Sequence, residues 1–187
     1  MQKTFIYLGF CFVLAFALRF FVVEGFTIPT ASMQPTLMIG DKLWINKLPF
    51  SVQKGDIIAF LFPLDKRENY VKRCAAVSGD TIYKIQGQYL LSPRSDIAFV
   101  VPKKGQTIEL NSDNFLFYQR MIQHYENKQA GIIGSEMYIN NQISHTYTFE
   151  QDYYYVLGDN QADSYDSKDW GLVPASYVIG KSLFVTK

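Results

Sequence analysis

The sequence predicts a mostly β protein headed by one apolar helix, and three observations carry that expectation. Charge is absent from Phe5 to Leu18, and after Arg19 the apolar run resumes through Val23. Beyond Glu24, short runs rich in β-branched and aromatic residues recur, separated by turn chemistry. A single stretch breaks that pattern with helical spacing.

The N-terminal run comes first. A helix over Phe5–Val23 would be about 28 Å long, close to a bilayer's hydrocarbon thickness. Arg19, near its end, can snorkel to the interface. A cleavable leader is the rival reading, since Ala15-Phe16-Ala17 offers a small-residue site. The apolar run continues past that site to Val23, which a leader does not need. A buried core helix would keep a polar stripe, and none is present. Residues 1–25 are therefore expected to be a short cytoplasmic start and a membrane anchor. Lys3 and the terminal amine weakly favour a cytoplasmic N-terminus.

Strands are expected at Lys42–Ile45, Asp56–Phe62, Tyr70–Val77, Thr81–Ile85, Tyr89–Leu91, Glu136–Ile139, Tyr153–Leu157 and Val178–Thr186. Turns such as Lys54-Gly55-Asp56 and Ser78-Gly79-Asp80 separate them. Between Asp113 and Lys128, Tyr118, Met121, Ile122 and Tyr125 fall at i, i+3, i+4 and i+7, the stripe of a helix packed on a sheet. Ser112 or Asp113 can cap it.

Composition removes several function classes. The 187 residues are 48% hydrophobic and 16% aromatic, so the chain can bury a core. With 18 Lys+Arg against 17 Asp+Glu and no basic run, no nucleic-acid partner is expected. Two cysteines, Cys11 and Cys74, and two histidines, His124 and His145, are too few for a disulfide scaffold or a multi-His metal site. His124 reads as a solvated helix residue and His145 as an ordinary strand residue. The P-loop, dinucleotide and zincin signatures are missing, as is the G-x-S-x-G elbow.

Three segments are odd for pure structure. Residues 26–37, FTIPTASMQPTL, place small hydroxyl residues between two prolines, suiting a rigid, non-helical loop. Residues 70–80, YVKRCAAVSGD, set Lys72 and Arg73 side by side in a strand, so one of them must face inward. A buried lysine is costly and often functional, although a strand-end lysine can also snorkel. Residues 158–171, GDNQADSYDSKDWG, are too polar and turn-rich for core.

In this order, after an apolar N-terminal run, these segments resemble type I signal peptidase, the membrane-anchored serine peptidase that removes signal peptides from exported proteins. The likeness runs from Leu18-Arg19-Phe20, Glu24 and Phe26 through Ile28-Pro29-Thr30-Ala31-Ser32-Met33-Gln34-Pro35-Thr36-Leu37. It continues in Lys54-Gly55-Asp56-Ile57-Ile58-Ala59-Phe60, in Tyr70-Val71-Lys72-Arg73 and in Gly79-Asp80. It ends in Gly158-Asp159-Asn160, Ser164, Asp166, Ser167, Trp170, Gly171, Val173 and Pro174.

The resemblance implies that Ser32 is the nucleophile and Lys72 its general base, with no cofactor and no metal. Lysine near 10.4 in water is useless as a base at neutral pH, so burial would have to lower it by roughly 2–3 units. Val71, Cys74 and the Tyr70 ring are expected to supply that desolvation. The Ser32 N–H and the Thr30 hydroxyl would face the oxyanion, Ser164 would orient the amine, and Asp166 would support the loop. Lys168 stands where many members have arginine, which reduces a bidentate pair to a single contact. Ser78, and Gln161-Ala162-Asp163, are further departures. Shallow pockets for alanine or glycine would be walled by Phe26, Ile28, Pro29, Met33, Leu37, Tyr70 and Val71.

The implied partners are signal-peptide-bearing preproteins and the lipid bilayer. The implied location is the plasma (inner) membrane, single-pass, with the catalytic part on the extracytoplasmic side. Residues 26–82 and 153–187 would form the catalytic β core, and 83–152 a smaller inserted α+β subdomain. A membrane-anchored scaffold that binds export substrates without cutting them is the alternative, motivated by the departures in 158–171.

Overall fold

The computed structural model describes residues 7, 9–13, 16, 22–85, 88–91 and 98–187. They form a mostly β protein that divides into two compact units.

The first unit gathers the chain up to Cys74 with Leu157–Tyr165 and Val178–Lys187. Its strands are β1 (Val23–Thr27), β2 (Lys42–Asn46), β3 (Ile57–Leu61), β4 (Asn69–Ala76) and β15 (Val178–Thr186). They lie side by side in the order β1-β2-β15-β3-β4, each pair antiparallel. Alternation drives the packing: in β2, Leu43 and Ile45 are fully buried while Trp44 and Asn46 lie on the other face. Ile28, Met33, Leu37 and Ala59 close the core around them. The C-terminal strand β15 fits between β2 and β3 because Gly180 carries no side chain. A Cβ there would meet the Asn46 carbonyl at 2.5 Å, and the β15 register shifts between Val178 and Gly180.

The second unit comprises Ala75–Val156 and Asp166–Tyr177. Strands β5 (Thr81–Ile85), β6 (Gln88–Leu90) and β7 (Ala98–Val100) make a three-stranded sheet in the order β6-β5-β7. Strand β8 (Thr107–Glu109) pairs with β12 (Thr146–Thr148). Strands β9 (Ala130–Ile133), β10 (Glu136–Ile139) and β11 (Gln142–Ile143) form a second small sheet. Strand β13 (Tyr153–Leu157) pairs with β14 (Val173–Pro174). Helix α1 (Phe115–His124) buries Phe115, Phe117, Tyr118, Met121 and Ile122. Tyr118 ties it to β7 by both accepting from the Val100 N–H and donating to the Val100 carbonyl. A four-residue helix, α2 (Ser167–Trp170), completes the unit.

Several expectations need correction. The apolar helix cannot extend to Val23, which opens β1 and pairs with Asn46. Among the described residues no helix is long and apolar enough to cross a membrane. Residues 7, 9–13 and 16 are helical with exposed side chains, and the rest of the expected anchor up to residue 21 lies outside the described residues. Helix α1 is shorter than expected, and Asn114 is its N-cap rather than Ser112 or Asp113. Asn111 takes up the preceding turn by accepting from the Asp113 and Asn114 N–H groups. His145 sits in a bend rather than a strand, and His124 is exposed at the end of α1. Strands β1, β7, β8, β9, β11, β12 and β14 have no counterpart among the strands expected from sequence.

Candidate active site

Ser32 lies in the segment that joins β1 to β2. That segment is pinned at both ends by buried apolar anchors: Ile28 is 3% exposed, Met33 1% and Leu37 0%. The Ile28 N–H donates to the Asp41 carbonyl and the Gly40 N–H to the Ile28 carbonyl, closing the loop on itself. Within it, residues Ala31–Met33 make a single 3-10 turn, although a non-helical loop was expected there. Pro29 and Pro35 limit the flanking backbone. The Asn160 N–H then donates to the Ser32 carbonyl, and its side-chain amide to the Ala31 carbonyl. The serine backbone is therefore held by its own loop and by the 157–165 segment together.

Strand β4 delivers the amine. Its burial alternates, and Lys72 shares the inward face with fully buried Cys74. Only 3% of Lys72 is exposed. Its Nζ donates to Ser32 Oγ at 2.6 Å and lies 5.9 Å from the centre of the Tyr70 ring. Thr30 Oγ1 stands 3.2 Å from the same serine oxygen. The regular strand turns Lys72 inward and Arg73 to the opposite face.

Arg73 faces the other way and meets Asp159 through two parallel hydrogen bonds, Nε to Oδ1 at 2.7 Å and Nη2 to Oδ2 at 2.6 Å. Its Nη1 also donates to the Gly55 carbonyl. Burial alone would raise the Asp159 carboxyl, but the hydrogen bonds and charge of Arg73, with a hydrogen bond from Thr36, hold it below its ordinary value. Next to it, Gly158 lies so close to Ser164 and to the Ser32 carbonyl that a Cβ would overlap both. Ser164 is thereby placed beside the Ser32 backbone.

A cleft of about 330 Å³ opens over Ser32 and Lys72. Phe26, Ile28, Pro29, Met33, Tyr70 and Val71 all line it. Leu37 does not: it is fully buried in the core of this unit. The lining also includes Glu68, Asn69, Asp163 and Tyr165, none of which sequence reasoning singled out as cleft residues. Their polarity makes them look like ordinary turn residues in a linear reading. In the linear reading Asp159 belongs to a polar run and to the Gly158-Asp159-Asn160 stretch of the resemblance, but its pairing is not visible because its arginine partner is distant in sequence.

Asp166 belongs to the second unit. It is fully buried and caps α2, accepting from the Lys168 N–H while the Asp169 side chain accepts from the Asp166 N–H. The Lys168 amine stands 3.8 Å from Asp166 Oδ2. Among the described residues no cluster of His, Cys, Asp and Glu could hold a metal ion.

The sequence pattern of the family described as "Signal peptidase, peptidase S26" matches residues 1–186. The chain belongs to this family. Similar proteins include the signal peptidase I of Aquifex aeolicus, 29% identical over 99% of this chain and 84% of that relative. The signal peptidase I of Buchnera aphidicola subsp. Baizongia pistaciae is 27% identical over 92% of this chain and 72% of its own length. Among solved structures, a signal peptidase I from Enterococcus faecalis covers 71% of this chain and 97% of its own, at 20% identity and a TM-score of 0.34.

Proposed function

We propose that this chain is a serine endopeptidase that cleaves signal peptides from exported preproteins, with Ser32 as nucleophile and Lys72 as general base. The observation that carries this reading is the nearly dry Lys72 amine 2.6 Å from the Ser32 hydroxyl. Burial of the Lys72 side chain penalises an ammonium ion there, which favours the neutral amine a base requires.

The reaction is acyl transfer in two steps. The substrate carbonyl sits over Ser32, and Lys72 takes the hydroxyl proton as Oγ attacks the carbonyl carbon. The Ser32 N–H and the Thr30 hydroxyl donate to the oxygen as it becomes negative. As the intermediate collapses, Lys72 returns the proton to the departing amine of the mature protein, leaving an ester on Ser32. A water then gives a proton to Lys72 and attacks the ester, and Ser32 Oγ is reprotonated as the signal peptide leaves. Ser164 orients the amine throughout. The apolar cleft walls formed by Ile28, Pro29, Met33 and Val71 admit small side chains before the cleaved bond and exclude large ones.

The apolar run ahead of β1, residues 5–21, acts as the anchor. Tyr7, Phe10, Phe12, Val13 and Phe16 are helical and exposed, the arrangement expected where lipid rather than protein surrounds a helix. A single-pass anchor with a cytoplasmic N-terminus keeps the site at the outer face of the plasma membrane, where the leader's own apolar segment resides.

The test is cleavage of a preprotein, or of a peptide with an A-x-A site, read by mass spectrometry. Ser32→Ala and Lys72→Ala are each expected to abolish product while retaining the β circular-dichroism signature. Turnover by either folded variant refutes the assignment.

A further inference from the structure

The cleft over Ser32 has two kinds of lining. The one formed by Ile28, Pro29, Met33 and Val71 is apolar. The other is aromatic and acidic. Tyr70 stacks on Phe62 with ring centroids 4.4 Å apart and planes 10° from parallel. Tyr165, 51% exposed, meets the same Phe62 at 6.1 Å. Glu68 and Asp163, each two residues from one of these tyrosines, line the cleft with them.

The charge balance of this lining is one-sided. Its charged members are Glu68, Asp163 and Lys72, and Lys72 is buried against Ser32. Lys66 and Arg67 precede Glu68 in sequence but do not line the cleft. Among the described residues neither Glu68 nor Asp163 has a cationic partner. The Tyr70 hydroxyl is pushed up by its burial and then by the negative charges of Glu68 and Asp65, so the acidic field reaches the ring. What a substrate meets in this part of the lining is two carboxylates and two phenol rings.

We infer that this chain selects substrates carrying a lysine or arginine next to the cleaved bond, held between Glu68 and Asp163 over Tyr70 and Tyr165. The inference rests on the peptidase reading above and adds a charge filter to the rule for small residues. A cation gains from both carboxylates and from the ring faces. A glutamate at the same place meets like charge and is rejected. Because both acids are exposed, the effect is one of several-fold selectivity.

The experiment uses the full chain in neutral detergent and peptides with one A-x-A site. Lys, Gln or Glu is placed in turn at the middle residue of the site and at each of the first two residues after the bond. At one or more positions the Lys-to-Glu ratio of kcat/KM is expected to be about 3- to 10-fold at low ionic strength. It should fall as salt rises and shrink to within about twofold in the Glu68→Gln/Asp163→Asn double variant. A ratio taken within one preparation cancels any general loss of activity in that variant. A ratio near one at every position overturns the inference, as does a ratio that persists in the double variant. If the Gln peptides are not cleaved at all, the peptidase reading falls with it. Cleaved Gln peptides with a flat charge profile remove the charge filter alone.

Discussion

At Gly158 the structure leaves no room for a side chain, because a Cβ would overlap both Ser164 and the Ser32 carbonyl. Gly158→Ala must therefore push either Ser164 or the Ser32 backbone aside, and with it the Lys72–Ser32 contact. A loss of at least about tenfold in kcat/KM is expected, with the circular-dichroism spectrum unchanged; full activity in the variant would show that the close approach does not matter. Asp159 makes a different demand. Its carboxyl is held below the ordinary 3.8 in the folded chain. Its pairing with Arg73 therefore contributes stability above that value, and the contribution is lost as pH falls through the folded value. Asp159→Asn is expected to lower Tm most near neutral pH, with the deficit closing in acid below about pH 4. An equal deficit at pH 7 and pH 3 would contradict the ion pair. Ser32 and Lys72 could be singled out from local sequence because each sits in an unusual context. The Arg73–Asp159 pair could not, since each partner alone is an ordinary surface charge.

Among the elements, the end of α1 shows how one buried carboxylate joins three segments. Glu126 is 6% exposed and accepts from the Tyr147 hydroxyl in β12, the Tyr153 hydroxyl in β13 and the Glu150 N–H. Burial first, then the hydrogen bond and charge of Glu126, pushes both phenols up, so they stay protonated and donate. Glu126→Ala leaves two buried phenol donors and the Glu150 N–H without their acceptor and is expected to cost about 2–4 kcal/mol, read as a fall in the urea midpoint. A shift under about 0.5 kcal/mol would mean that water replaces the carboxylate. Strands such as β2, β3, β4 and β15 were legible because they alternate over several residues between clear turns. Strands β7, β8 and β12 span three residues each, too short for alternation to register. Strand β1 was hidden because Val22-Val23 continues the apolar run ahead of it, and the pairing of Val23–Thr27 with β2 is what makes it a strand. The cap of α1 shifted for a similar reason: Ser112 and Asp113 have the right chemistry, but the Asn111–Asn114 turn claims the backbone first.

For the whole chain, the apolar N-terminal run and the folded part are expected to be separable, because β1 begins at Val23 and the Lys47 N–H still finds the Val22 carbonyl. A chain starting at residue 22 should fold, cleave soluble peptides and stop sedimenting with lipid vesicles. Continued co-sedimentation would assign membrane affinity to the folded part. The linear sequence was sufficient for the mostly β class, for the apolar run and for the ordered segments that carry the family resemblance, because each of these is a pattern within a few neighbouring residues. It also named a serine, a lysine and a set of small-pocket residues. Only the tertiary structure decided that the Lys72 amine comes within 2.6 Å of Ser32, that Leu37 belongs to the core, and that Glu68, Asp163 and Tyr165 border the cleft. Those outcomes depend on strand register, which is set by which faces bury against distant parts of the chain. A one-residue slip of β4 would bury the guanidinium and expose the amine without changing a single local preference.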